Sequence, residues 1–148
     1  MFRLAVKPLP VLMSGALSMT FAACASKPIP TPSNMVVSAI QPHVWPTPPV
    51  AAPAAPPRIV RIWMSSLTIQ AGTWLDGTIV ASTNVASVEV RTAAFSINSD
   101  HVGPGLFRFH THVLELPPLG RRHVLDLSII ARNTASVQTV EYASVTIE

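Results

Sequence analysis

Ten of the chain's 15 prolines fall between residues 25 and 57. Proline fixes φ and has no N–H to donate. A stretch carrying Pro28, Pro30, Pro32, Pro42, Pro46, Pro48, Pro49, Pro53, Pro56 and Pro57 therefore builds neither a helix interior nor a central strand. It is expected to be a disordered, extended linker. At about 3.1 Å per residue its full reach is on the order of 100 Å. Two points inside it stay open. Met35-Val36-Val37-Ser38-Ala39-Ile40 is an apolar island that either pairs with a sheet edge or has no partner, and Trp45 is a candidate to dock on the folded part. Pro46-Thr47-Pro48-Pro49 and Ala55-Pro56-Pro57 are either candidate ligands for a proline-binding groove or parts of a tether that needs no partner.

The core must then come from residues 58–148. That is about 90 residues, near the low end for one stable core. With a single cysteine, Cys24, no intramolecular disulfide supports it, so packing alone holds it together.

Ahead of the linker, Arg3 and Lys7 give a positive start, residues 9–23 an apolar run, and Ala22 and Ala23 a small-residue close. That is the layout of an export signal over residues 1–23, too short for a comfortable membrane span. Phe21-Ala22-Ala23-Cys24 resembles the lipobox of bacterial lipoproteins. The resemblance implies that Cys24 receives a lipid and becomes the mature N-terminus, so that the chain is held on a membrane. Ala25 and Ser26 follow, with no aspartate directly after the cysteine. In a cell with two membranes that pattern implies an outer-membrane lipoprotein, on the periplasmic or the surface face. Ala23-Cys24-Ala25 also fits ordinary cleavage after Ala25, which would release a soluble protein, and retention of the apolar segment as an anchor is the third outcome.

The net charge of +3 disappears on location. Arg3, Lys7 and Lys27 lie before residue 58; from Arg58 onward, seven arginines face seven acids. A phosphate-binding surface needs a basic excess, so nucleic acid is not an expected partner.

Residues 58–148 alternate as strands do. Strands are expected over residues 58–64, 78–83, 85–92, 94–98, 106–116, 123–132 and 137–148, with residues 65–70 as an extension or a further short strand. A turn is read within residues 71–77, with Gly72 and Asp76-Gly77 as its signals, another at Thr83-Asn84, and a loop from Asn98 to Gly105. Pro117-Pro118 and Gly120 end and turn the chain before its last hairpin. Phe107, Phe109, Thr111 and Val113 are expected on one face of their strand. Leu125, Leu127, Ile129, Ala131, Val145 and Ile147 are expected inward on the last two. About seven short strands with regular turn signals and no helical period fit an all-β antiparallel β-sandwich. The run from Gly120 through Leu125-Asp126-Leu127-Ser128-Ile129-Ile130-Ala131-Arg132-Asn133 is similar to the penultimate strand and turn of bacterial immunoglobulin-like or fibronectin type III-like domains. That resemblance implies an immunoglobulin-like sandwich over residues 58–148, after a signal peptide (1–23) and a lipidated cysteine with its linker (24–57).

Chemistry has few footholds. His110-x-His112 puts two imidazoles on one side of a strand, a possible pair of metal ligands, with His123 or His101 as a possible third; the plain alternative is that both occupy the solvent face. Arg121-Arg122 is either a contact for an anionic partner or a solvated pair at a hairpin tip. Trp63, Trp74 and Phe95 are either core residues or parts of an exposed contact patch. No serine lies in a nucleophile elbow, and small sandwiches rarely form a deep cleft, so no enzyme and no cofactor is expected. The expected role is a non-catalytic binding or assembly module with an envelope protein as partner. The alternative is a periplasmic metal-binding domain using His110 and His112.

Overall fold

A computed structural model describes residues 36–114 and 123–148, which lie in one compact unit, Thr31–Glu148. The described chain is all-β. Its strands are β1 (Val36–Ser38), β2 (Ile59–Met64), β3 (Thr68–Ile69), β4 (Trp74–Ala81), β5 (Val85–Arg91), β6 (Ser96–Asn98), β7 (Asp100–Gly103), β8 (Leu106–His112), β9 (His123–Asn133) and β10 (Gln138–Ile147). They form two five-stranded sheets, ordered β1-β2-β4-β8-β7 and β3-β10-β9-β5-β6. The immunoglobulin-like sandwich is thus present, with ten strands where about seven were expected.

Alternation places the core. Ile62 and Met64 of β2, Leu75 and Ile79 of β4, and Phe107 and Phe109 of β8 face Val88, Val90, Leu127, Ile129 and Val145 of the other sheet, all buried. Leu127, Ile129, Ala131, Val145 and Ile147 are inward as read from the sequence, and Leu125 packs against them. Burying one such side chain is worth roughly 1.5–3 kcal/mol, which is what holds a domain with no disulfide.

Both sheets are mixed. β1 pairs parallel with β2 (Val36 opposite Arg61), and β3 pairs parallel with β10 (Thr68 opposite Thr146). A parallel neighbour needs a long crossover. Between β1 and β2 that crossover is the proline-rich segment itself, so its second half is docked and not a free linker. The reason is that proline lacks a donor but keeps its carbonyl. Thr83 N–H donates to Pro49 O at 3.0 Å, and Thr139 Oγ1 donates to Pro57 O at 2.6 Å. Asn84 Nδ2 donates to Ala52 O and Ala55 O at 3.0 and 2.7 Å, and Asn133 Nδ2 donates to Ala55 O at 2.9 Å. The domain supplies the donors that proline cannot. An Asn84→Ala variant is expected to lose about 1 kcal/mol and to be cleaved faster within residues 51–57. Timed limited proteolysis checks this; wild-type cleavage kinetics would show that Asn84 does not clamp the segment.

Two other expectations are corrected. Asn98–Gly105 is not an open loop, because Asp100 and His101 pair with Arg108 and Phe107 as β7. Asp76-Gly77 is not a turn, because both residues lie within β4, opposite His110 and Phe109. Gly72 (φ 79°) carries the turn before β4. Gly77 stands where the Phe109 ring must pass: a Cβ there would overlap Cε1 and Cζ of that ring.

Candidate functional site

The site lies on the outer face of the first sheet, where β2, β4, β8 and β7 run side by side. Alternation that sends Leu75, Ile79, Phe107 and Phe109 inward sends Trp74, Asp76, Thr78, Arg108 and His110 outward. Register then sets them in rows. Trp63 lies opposite Thr78, Thr78 opposite Arg108, and Arg108 opposite Asp100. Next to that row Asp76 faces His110, and beyond it Trp74 faces His112.

The docked segment forms one wall. Trp63 Nε1 donates to Ala39 O at 3.3 Å, and the Trp45 indole meets the Trp63 indole edge-on, with centroids 6.2 Å apart at 84°. Between this wall and the β7–β8 edge lies a groove of about 500 Å³, lined by Gln41, Trp45, Trp63, Asp76, Gly77, Thr78, Asp100, Arg108, Phe109 and His110. A second hollow of about 310 Å³ also touches Trp45 and is lined besides by Pro46, Thr47, Pro48, Gly103, Pro104 and Leu106. Gly105, at φ 66°, allows this approach: a Cβ there would stand 2.7 Å from Pro48 Cβ.

The polar groups at the mouth are ordered. His110 Nδ1 donates to Asp76 Oδ1 at 2.5 Å, since an ionised carboxylate only accepts. In the neutral ring Nε2 is then the remaining acceptor. Ser65 N–H bonds Asp76 O at 2.8 Å and Asp76 N–H bonds Ser65 Oγ at 3.2 Å, which fixes the strand beneath the carboxylate. The Trp74 indole lies flat on the His110 ring, 4.2 Å between centroids at 6°, and meets His112 edge-on at 5.0 Å.

His110 and His112 do share a face, as their spacing predicts. The Trp74 indole packs against both, and Asp76 engages Nδ1 of the first. Among the described residues no group of three or more His, Cys, Asp or Glu side chains is placed to hold a metal ion. Cys24, Arg121 and Arg122 lie outside the described residues. Trp74, 56% exposed, belongs to the surface patch and not to the core. Trp45, Trp63, Asp76, Arg108 and Asp100 were not read as one site from the sequence.

No protein-family model matches this chain, and no curated protein matches it. Among solved structures, it is similar to a DUF4785 family protein from Legionella pneumophila (TM-score 0.43, 16% identity over 58% of this chain). It is also similar to a Niemann-Pick type C2 protein from the Japanese carpenter ant (TM-score 0.39, 12% identity over 64% of this chain and 94% of that one). The likeness spans 27% of the length of the Legionella protein.

Proposed function

We propose that the chain is a cell-envelope lipoprotein, anchored through a lipid on Cys24, whose sandwich serves as a non-catalytic binding module. The observation that carries the anchor is the order of Arg3 and Lys7, an apolar run, and Phe21-Ala22-Ala23-Cys24. The observation that favours binding is the groove walled by Trp45 and Trp63. Its contact surface is this groove in preference to a sheet edge. The edge strands β1, β3, β6 and β7 span only two to four residues each, and β7 carries an irregularity between His101 and Gly103. Short, bulged edges are poor templates for an added strand.

Docking of residues 36–57 also shortens the tether. Only residues 25–35 separate Cys24 from β1, at most about 40 Å of chain. The module would then work close to the membrane that holds it, on the outer membrane where the cell has two.

Replacing Cys24→Ser is expected to move the full-length chain from the membrane fraction to the soluble one. A variant that stays with the membrane would overturn the lipid anchor. In-cell crosslinking of the wild-type chain reads the module role separately, with one or two envelope partners in fixed stoichiometry as the expected result.

A further inference from the structure

We propose that the groove on the outer face of the first sheet binds a neutral oligosaccharide. The inference rests on the binding-module reading and names its ligand. The first ground is size. Two hollows, of about 500 Å³ and about 310 Å³, share Trp45 as a lining residue. Each volume suits a small-molecule site, and a ligand crossing Trp45 must be longer than one ring.

The second ground is the pairing of surfaces. Trp45 and Trp63 line the groove as apolar rings set edge-on to each other, and His110, which also lines it, carries the Trp74 indole stacked on its ring. A pyranose ring offers a face of C–H groups to match such surfaces, with hydroxyls around its edge.

The third ground is the polar groups that remain. Asp100 and Arg108 are register partners across β7 and β8. Among the described residues neither side chain has a hydrogen bond or ion pair. Asp76 keeps one oxygen beyond its bond to His110, and the second ring nitrogen of His110 is left for a ligand, as an acceptor in the neutral ring and a donor in the protonated one. The groove thus offers carboxylate acceptors and an imidazole nitrogen beside guanidinium donors. A hydroxyl both donates and accepts, so a polyol satisfies all of them.

Other ligand classes fit worse. A phosphate would meet two carboxylates around one arginine. A purely apolar ligand would bury Asp100 and Arg108 without partners. A proline-rich peptide would stack on the indoles but brings few donors, leaving both carboxylates unsatisfied.

The test titrates chitotetraose, cellotetraose and maltotetraose separately into the full-length chain in detergent micelles, following tryptophan fluorescence and heat. Inorganic phosphate and a proline-rich decapeptide run alongside. At least one tetraose is expected to saturate with a Kd between about 10 μM and 1 mM. Asp100→Asn and Arg108→Gln are expected to weaken it at least about tenfold, with thermal unfolding unchanged because neither side chain supports the fold. The proposal is overturned if no tetraose saturates by about 10 mM, if only phosphate or the peptide binds, or if both variants bind as the wild type does. A chain that binds no sugar yet crosslinks to one envelope protein would overturn the oligosaccharide alone and leave the module reading standing.

Discussion

A Gly77→Ala variant is expected to be less stable than the wild type by about 2 kcal/mol, the largest effect we anticipate from a single methyl group in this chain. Two terms oppose each other. Removing glycine from a strand interior ordinarily gains roughly 0.5–1 kcal/mol, because alanine has less backbone entropy to lose. Here the new Cβ would overlap Cε1 and Cζ of Phe109, and even Cδ1 would stand only 2.8 Å away. The Phe109 ring is 4% exposed and has little room to retreat. Overpacking of this kind costs about 1–3 kcal/mol, and more where a rigid ring is trapped, so the clash outweighs the entropy gain. Urea denaturation measures the difference. The Phe109→Leu background isolates the cause: that variant loses stability by itself, but the added cost of Gly77→Ala should shrink or reverse in it. Equal costs in both backgrounds would mean that the ring is not what Gly77 accommodates.

The same glycine explains why the site was hard to read. Asp-Gly is a strong turn signal, and taken as one it lets the strand begin only at residue 78. Cutting β4 there hides the alignment of Trp74-x-Asp76 with His110-x-His112. Those two pairs share the i, i+2 spacing and lie opposite each other in register. Asp76-Gly77 is a turn signal only if nothing large lies across from the glycine, and what lies across is set by a strand some 30 residues on. The last hairpin was legible for the converse reason. In β9 and β10 apolar residues alternate with Asp126, Ser128, Tyr142 and Ser144, so a local pattern suffices to assign faces. Ile130 departs from it: alternation sends it outward, yet it is 6% exposed, on the face that also carries Glu89. The docked proline segment could not be read because its partners are remote side chains. Composition shows that prolines cannot donate. It does not show that Asn84, Asn133 and Thr139 will donate to their neighbours' carbonyls.

Glu89 gives the second large effect, and it appears as a dependence on pH. Its side chain lies in the second sheet, 10% exposed, in a register row with Ile130 and Val140. Ser96 Oγ donates to Oε1 at 2.5 Å, Arg132 donates to Oε2 at 2.7 Å, and Arg91 donates to Oε1 at 2.6 Å. Those three partners favour the ionised form, with Ser96 the largest influence, and they outweigh the opposing effect of burial. The carboxyl is held at about 2, against an ordinary 4.5. A group whose pKa is lowered by folding contributes stability above its unfolded value and loses it as pH falls through the folded one. Wild-type stability should therefore fall between about pH 4.5 and pH 2 through this residue. Full linkage would give roughly 3 kcal/mol, but Arg91 is half exposed and solvent screens its share, so about 2 kcal/mol is the expected contribution at pH 7. Glu89→Gln keeps the shape and removes the charge. It should be about 2 kcal/mol less stable than wild type at pH 7, and the gap should close as pH approaches 2. Denaturation midpoints at pH 7, 4.5, 3 and 2 follow that convergence. A gap that stays constant with pH would mean that the substitution acts through packing and not through the charge. A gap absent at pH 7 would mean that the two arginines hold nothing that solvent does not replace.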